Sequence, residues 1–265
     1  MFKVKKEQSL LIFLKKQTCL SGKEIKRYLE KGACLLNGKI ERFGSSKVKI
    51  GDAVVFRPLK EKKKKALSIL YQDPFLTFFN KPPGALSAPI EGHFLVHRLD
   101  KGTSGVIVMA RTLEMKRGLE FCFKKRTIQK IYFALIKGVP QKRIGTIQKP
   151  IGKIGTFEGQ TVYGVSSDGK EAITHYKLIE KRKEFSLIEL HPETGRTHQL
   201  RVHLSALGHP ILGDWQYGRA VVFPKQVNRL CLHAYRLSLF HPKTCQTLNV
   251  MAPLPECFKY EDFNR

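Results

Sequence analysis

The chain has 265 residues, enough for one large domain or for a large and a small one, and its 42% apolar content can fill a core. Lys and Arg number 48 against 22 Asp and Glu, a formal net charge of +26, which favours a polyanionic partner, nucleic acid ahead of an acidic membrane surface. No apolar run approaches the roughly 18 residues needed to span a bilayer, and the basic start MFKVKKEQSLLIFLKK has an apolar centre too short for a secretory signal, so a cytoplasmic chain without membrane contact is expected. The six cysteines, at 19, 34, 122, 231, 245 and 257, show no CxxC pair and no zinc-like spacing, and reduced thiols are expected.

Residues 1–65 hold 19 Lys and Arg against 6 Asp and Glu, a net of +13. A helix is expected over SLLIFLKK. In SGKEIKRYLEKG, Ser21 and Glu24 form a capping box, Ile25 and Leu29 share one face, and Gly32 can end the helix. ACLLNGKI reads as strand, Asn37-Gly38 turn and strand, because a type I′ hairpin needs positive φ at both central residues. VKIGDAVVF reads as a further strand. The helices would present Lys23, Lys26, Arg27 and Lys31. From about Ser9 to Leu59 this pattern, with LLNGK and IGD, resembles the S4 domain, a small RNA-binding module. The resemblance implies that Lys23, Lys26 and Arg27 contact RNA; a charged helical surface without a ligand is the alternative. PLKEKKKKAL then reads as a solvated linker, with the domain boundary near Lys65, giving an RNA-binding segment 1–65 and a second domain 66–265.

The second domain is rich in short strands. LSILYQDPFLTFFNKPPG predicts two strands around an Asp73-Pro74 turn, stopped by Pro82-Pro83-Gly84. VIVMA is a buried strand. LEMKRGLEFCFKK is helical, with Leu113, Leu119, Cys122 and Phe123 as core positions. KIYFALIKG alternates as a strand, EAITHYKLIEK, EFSLIELH and QTLNVMA are further strands, and a helix is predicted over 197–207. The class is α+β with a mixed, largely antiparallel sheet.

HRLDKGTSG, residues 97–105, sets Asp100 between Arg98 and Lys101, ahead of a glycine-bounded loop and the apolar run. No GxGxxG, Walker A or GxSxG is present, and Leu99 breaks the kinase HRD pattern. The histidines at 191, 198, 203 and 209 have no metal-site spacing. In HPETGRTHQLRVHLSALGHPILGDWQY, leucines 200, 204 and 207 fall on one helical stripe, and His198, Arg201 and Ser205 on another. A helix packed by its leucines would aim Arg201 at whatever faces it; if that is Asp100, the pair would orient the carboxylate. By itself Asp100 reads first as a structural salt bridge to Arg98 or Arg201, His97 as a structural loop residue, and Trp215 and Tyr217 as packing.

HRLDKGTSG, TGRTHQLRVHL…GHPILGD…Y and RLCLHAYRLSLFHP, supported by NKPPG and QKIYFALIKG, occur in order across 67–252 and resemble the RluA-type pseudouridine synthases. The resemblance implies isomerisation of uridine to pseudouridine in RNA, with large-subunit ribosomal RNA ahead of transfer RNA as substrate. It implies Asp100 as nucleophile, Tyr132 as the family's tyrosine and Arg201 as its Asp-pairing arginine. Arg98 would enter the RNA helix where the base leaves, and Leu232 would contact the base. Attack at C1′, addition to C6 and removal of the 2′ proton all remain open as first steps. No cofactor or metal is implied, and a monomer is expected. The GTSG loop is expected to admit RNA backbone closely. Two other classes compete: an RNA-binding assembly factor without turnover, and a DNA-binding protein.

Overall fold

In a computed structural model of the chain, the described residues are 2–30, 32–57, 67–157, 160–218 and 227–259. They belong to two compact units, Met1–Lys64 and Lys65–Arg265. The stretch expected as a linker lies, but for Leu67, outside the described residues, as does Lys31.

In the first unit, strands β1 (Phe2–Lys3) and β2 (Gln8–Ser9) precede helices α1 (Leu10–Gln17) and α2 (Gly22–Glu30). The capping box closes as its sequence dictates: the Ser21 backbone N–H donates to Glu24 Oε2 at 2.8 Å, and the Glu24 N–H to Ser21 Oγ at 3.3 Å. The Ser21 hydroxyl, which donates to Glu24 Oε2 at 2.7 Å, and then the Ser21 N–H hold the Glu24 carboxyl below its usual range. Gly32, at φ 74°, terminates α2. Then follow β3 (Cys34–Leu36), β4 (Lys39–Ile40), β5 (Lys47–Val48) and β6 (Ala53–Phe56). Asn37 and Gly38 carry φ of 50° and 82°, as the hairpin requires. VKIGDAVVF is not one strand: Gly51, at φ 93°, separates β5 from β6, and Asp52 accepts the Lys49 N–H across the turn. The sheet order is β1-β6-β3-β4, and Ile25, Leu29, Leu10 and Leu14 are fully buried in the core. Lys23, Lys26 and Arg27 stand exposed on α2.

The second unit is built on one ten-stranded sheet. Its elements are β7 (Ser68–Gln72), β8 (Leu76–Lys81), β9 (Phe94–Leu95), β10 (Ser104–Ala110), α3 (Leu113–Lys124), β11 (Gln129–Lys137), β12 (Ile144–Gln148), β13 (Ile151–Phe157), β14 (Gln160–Val165), β15 (Ile173–Lys181), β16 (Phe185–Pro192), α4 (Gln199–Ala206), β17 (Leu232–Phe240) and β18 (Thr247–Met251). The order is β12-β15-β16-β11-β17-β10-β8-β7, with β18 beside β17 and β9 beside β10. Every pair is antiparallel except β10–β17, which matches the expected mixed, largely antiparallel sheet. The hairpin β13–β14 forms its own two-stranded sheet.

Thr112 caps α3 by accepting the Met115 N–H, and the helix buries Met115 and Leu119, each contributing roughly 2 kcal/mol. Leu113, expected in the core, is 56% exposed because it leaves the first turn on the opposite side. The other layer is α4, whose Leu200 and Leu204 join Leu135, Ile188 and Leu190. Leu207 lies past the last turn and is exposed.

Gly105 explains the GTSG loop differently from the expectation of close RNA approach. It sits at φ 113°, and a Cβ there would fall 2.1 Å from the Ala234 carbonyl oxygen. The glycine therefore admits β17, whose parallel pairing with β10 begins at Ser104–His233 and Gly105–Ala234.

Candidate active site

Asp100 stands in the loop entering β10. Its neighbours are fixed by hydrogen bonds: Ser87 Oγ donates to the Leu99 carbonyl at 2.9 Å and accepts the Leu99 N–H at 3.0 Å. The Thr103 N–H returns to the Asp100 carbonyl. Below the loop Lys81 is completely buried, and its Nζ donates to the carbonyls of Pro82, Ala85 and Lys101. Burial brings the Lys81 ammonium down to about 8, and the nearby Asp100 charge opposes that fall. NKPPG thus supplies a cation that staples the loop from beneath.

A cavity of about 590 Å³ opens over this loop, and Asp100, Arg98, Tyr132, Arg201 and Leu232 all line it. Arg98 is exposed and Leu232 is buried. Tyr132 comes from β11 beside a bulge between Ile131 and Tyr132. Desolvation, and secondarily the Asp100 charge, push its phenol well above the ordinary range, so it is a neutral wall of the cavity. Lys23, Lys26 and Arg27 belong to the other unit.

Arg201 does not give its fork to Asp100. Its Nε and Nη2 donate to the two oxygens of Asp214 at 2.7 and 2.9 Å, and Nη2 also donates to Gln216 Oε1 at 3.0 Å. Its guanidinium lies 4.8 Å over the Tyr217 ring. Asp100 receives only Nη1, at 3.5 Å. Desolvation of Arg201 is outweighed by Asp214 and Asp100 together, which raise its pKa further and keep it charged.

His198 approaches Asp100 from another side. It precedes α4 in the left-handed region, φ 57°, so the helix begins at Gln199 rather than at 197. Its Nδ1 is 2.8 Å from the Tyr217 hydroxyl, which already accepts the Tyr163 N–H at 3.2 Å. Its Nε2 lies 4.0 Å from Asp100 Oδ1. Desolvation lowers the His198 pKa against the pull of Asp100, favouring the neutral ring.

The sequence assigns no role to Asp214, His198 or Lys81 and reads Tyr217 only as packing. Asp214 and Tyr217 lie within the quoted GHPILGDWQY run, which was the available signal. Trp215, expected to pack, is 63% exposed. His97 is structural as expected: its Nε2 accepts the Val108 N–H at 3.0 Å and its ring stacks on Phe123.

The arrangement sets the Asp100 carboxylate in a cavity wide enough for a base, with the buried Leu232 in its lining. The family model described as RNA pseudouridylate synthase matches residues 90–206. The chain is 34% identical to ribosomal large subunit pseudouridine synthase C of Escherichia coli (89% of this chain, 85% of that one). It is 33% identical to ribosomal large subunit pseudouridine synthase D of Vibrio cholerae (90% and 85%). Among solved structures, human RNA pseudouridylate synthase domain containing 1 superposes with a TM-score of 0.62 at 31% identity, over 74% of this chain and 87% of that one. The chain belongs to the RluA-type RNA pseudouridine synthases.

Proposed function

We propose that this pseudouridine synthase modifies large-subunit ribosomal RNA and that Asp100 is its nucleophile. Uracil must be cut from C1′, turned, and rejoined through C5. The product is an isomer, so one nucleophile suffices and no activated water is needed, unlike the paired carboxylates of a glycoside hydrolase. The other carboxylate lining the cavity, Glu193, is engaged by His175 at 2.6 Å.

The observation that carries this reading is the division of Arg201 between two aspartates. Asp214 takes both arms of the fork, so Asp100 is oriented by one long contact and retains lone pairs for attack. A base must leave the stack to reach it. In this reading Arg98 at the mouth holds the place it vacates, Tyr132 forms a wall and Leu232 a floor. Lys23, Lys26 and Arg27 on the S4-like unit hold RNA outside the site, as their exposure and the chain's charge support.

The test is Asp100→Asn on an unmodified transcript of large-subunit ribosomal RNA, with pseudouridine mapped and binding measured. Binding should persist and modification vanish. Substantial turnover by the variant would overturn the role of Asp100, and modification of transfer RNA alone by the native chain would overturn the substrate.

A further inference from the structure

A second cleft, of about 460 Å³, adjoins the first and shares Arg126, Lys130, Pro192 and Glu193 with it. We propose that this cleft is a binding site for a phosphodiester of the RNA strand beside the target uridine. The inference rests on the chain acting on RNA, and does not depend on which residue attacks.

Three cations line it: Arg126, Lys130 and Arg236. Arg236, projecting from β17, has its Nε buried with no hydrogen-bond partner, and no carboxylate lies within ion-pair distance of it among the described residues. Lys130, on the neighbouring strand β11, makes one long bond to the Thr194 carbonyl at 3.4 Å and likewise meets no carboxylate among the described residues. Desolvation, with the charge of Arg126, draws the Lys130 ammonium down to about 8. The acidic groups nearby are already engaged: Glu193 by His175 at 2.6 Å, Glu189 by His191 at 2.7 Å, and Glu171 by Arg126 at 3.3 Å on the exposed rim.

Arg236 is partly buried, and its charge meets no counter-ion among the described residues, so an anion entering the cleft would pair with it. The planar fork suits the two non-bridging oxygens of a phosphodiester. A strand whose base enters the first cavity carries its next backbone group along the shared rim of Arg126 and Lys130. The cleft would thus hold the strand on one side of the flipped nucleotide by charge, with no base readout.

The experiment compares Arg236→Gln and Arg236→Lys with the native chain, using the same unmodified ribosomal transcript, across a salt series. For Arg236→Gln the slope of log affinity against log salt should become shallower by roughly 0.7–0.9, the loss of one phosphate contact. Affinity should fall about tenfold, the worth of one charge-assisted contact, while the single-turnover rate at saturating RNA stays within a few-fold of native. Arg236→Lys, which keeps the charge, should keep the native slope. An unchanged slope in Arg236→Gln overturns the site, and so does equal weakening by Gln and Lys at native slope, which would mark Arg236 as a packing residue. Should Arg236→Gln not fold, Arg126→Gln on the exposed rim gives the same reading, and a native slope there overturns the proposal. Absence of turnover by the native chain would instead refute the ribosomal substrate and leave the salt comparison intact.

Discussion

At the scale of single residues, Arg201 is where sequence and structure part most usefully. Helical periodicity sets it opposite the side of α4 that Leu200 and Leu204 bury, facing whatever lies there, and one guanidinium nitrogen reaches Asp100 at 3.5 Å. Periodicity carries no information on Asp214, thirteen residues later in a turn, which is 2% exposed and takes the fork. Tyr217 was legible only as packing because its hydroxyl acquires meaning from Tyr163 and His198, neither of which is its neighbour in sequence. The division of Arg201 gives a prediction. Asp214→Asn keeps the shape of the turn but removes the charge that holds the guanidinium away from Asp100. Arg201 should then close on Asp100 and occupy both its oxygens. The single-turnover rate should fall about a hundredfold, which is close to 3 kcal/mol, with RNA affinity little changed. Stability should fall by about 3 kcal/mol, since a buried guanidinium loses its main partner. Rapid-quench kinetics and urea unfolding measure both, and a near-native rate would mean that Asp214 does not keep Asp100 free.

At the scale of elements, local chemistry was legible and tertiary chemistry was not. The Ser21–Glu24 box and the Asn37-Gly38 turn depend on residues within four positions of each other, and they form as read. The strands β12, β13 and β14 were missed because Gly145, Gly152, Gly155 and Gly164 interrupt their apolar alternation. The hairpin β13–β14 instead draws support from packing of Ile151, Tyr163 and Tyr217 around Val202 of α4. The central strand β10 illustrates the same limit. Two histidines hold it: His97 Nε2 accepts the Val108 N–H, and His233 Nδ1 meets Ser104 Oγ at 2.8 Å. Arg229 Nη2 donates to that same Ser104 Oγ at 2.6 Å, and His233 Nε2 faces the Ala252 carbonyl at 3.4 Å, so in the neutral ring the proton sits on Nε2 and Nδ1 accepts from Ser104. Desolvation takes His97 down to about 3 and His233 to about 4 from an ordinary 6.5. The unfolded chain therefore binds more protons than the folded chain between pH 6.5 and these values, and stability must fall as pH drops through that window. The loss should reach roughly 3 kcal/mol for each histidine by pH 4. Urea unfolding of the native chain, His97→Gln and His233→Gln at pH 7 and pH 4.5 checks this. Equal pH dependence in all three would show that other groups cause it.

At the scale of the whole molecule, charge was the most legible property. A net +26 is spread unevenly, with +13 in residues 1–65, and no helix among the described residues is long and apolar enough to cross a membrane. Each unit has its own buried core: Leu10, Leu14, Ile25 and Leu29 in the first, and clusters around Leu135 and Val108 in the second. A core that is complete within 66–265 should survive removal of the rest. Deleting 1–65 should therefore leave a cooperatively folding domain with a native thermal transition for that unit. Half the net positive charge would be gone, and with it the phosphate contacts expected of Lys23, Lys26 and Arg27. Affinity for the unmodified ribosomal transcript should fall, and the salt slope should become shallower by about 2–3, at roughly 0.7–0.9 for each phosphate no longer neutralised. The single-turnover rate at saturating RNA should change little, because Asp100, Tyr132 and Arg201 all line the cavity of the remaining unit. A truncated chain with the native salt slope would show that the first unit makes no phosphate contacts. A truncated chain with native affinity but a collapsed rate would show that this unit positions the target uridine rather than holding the RNA.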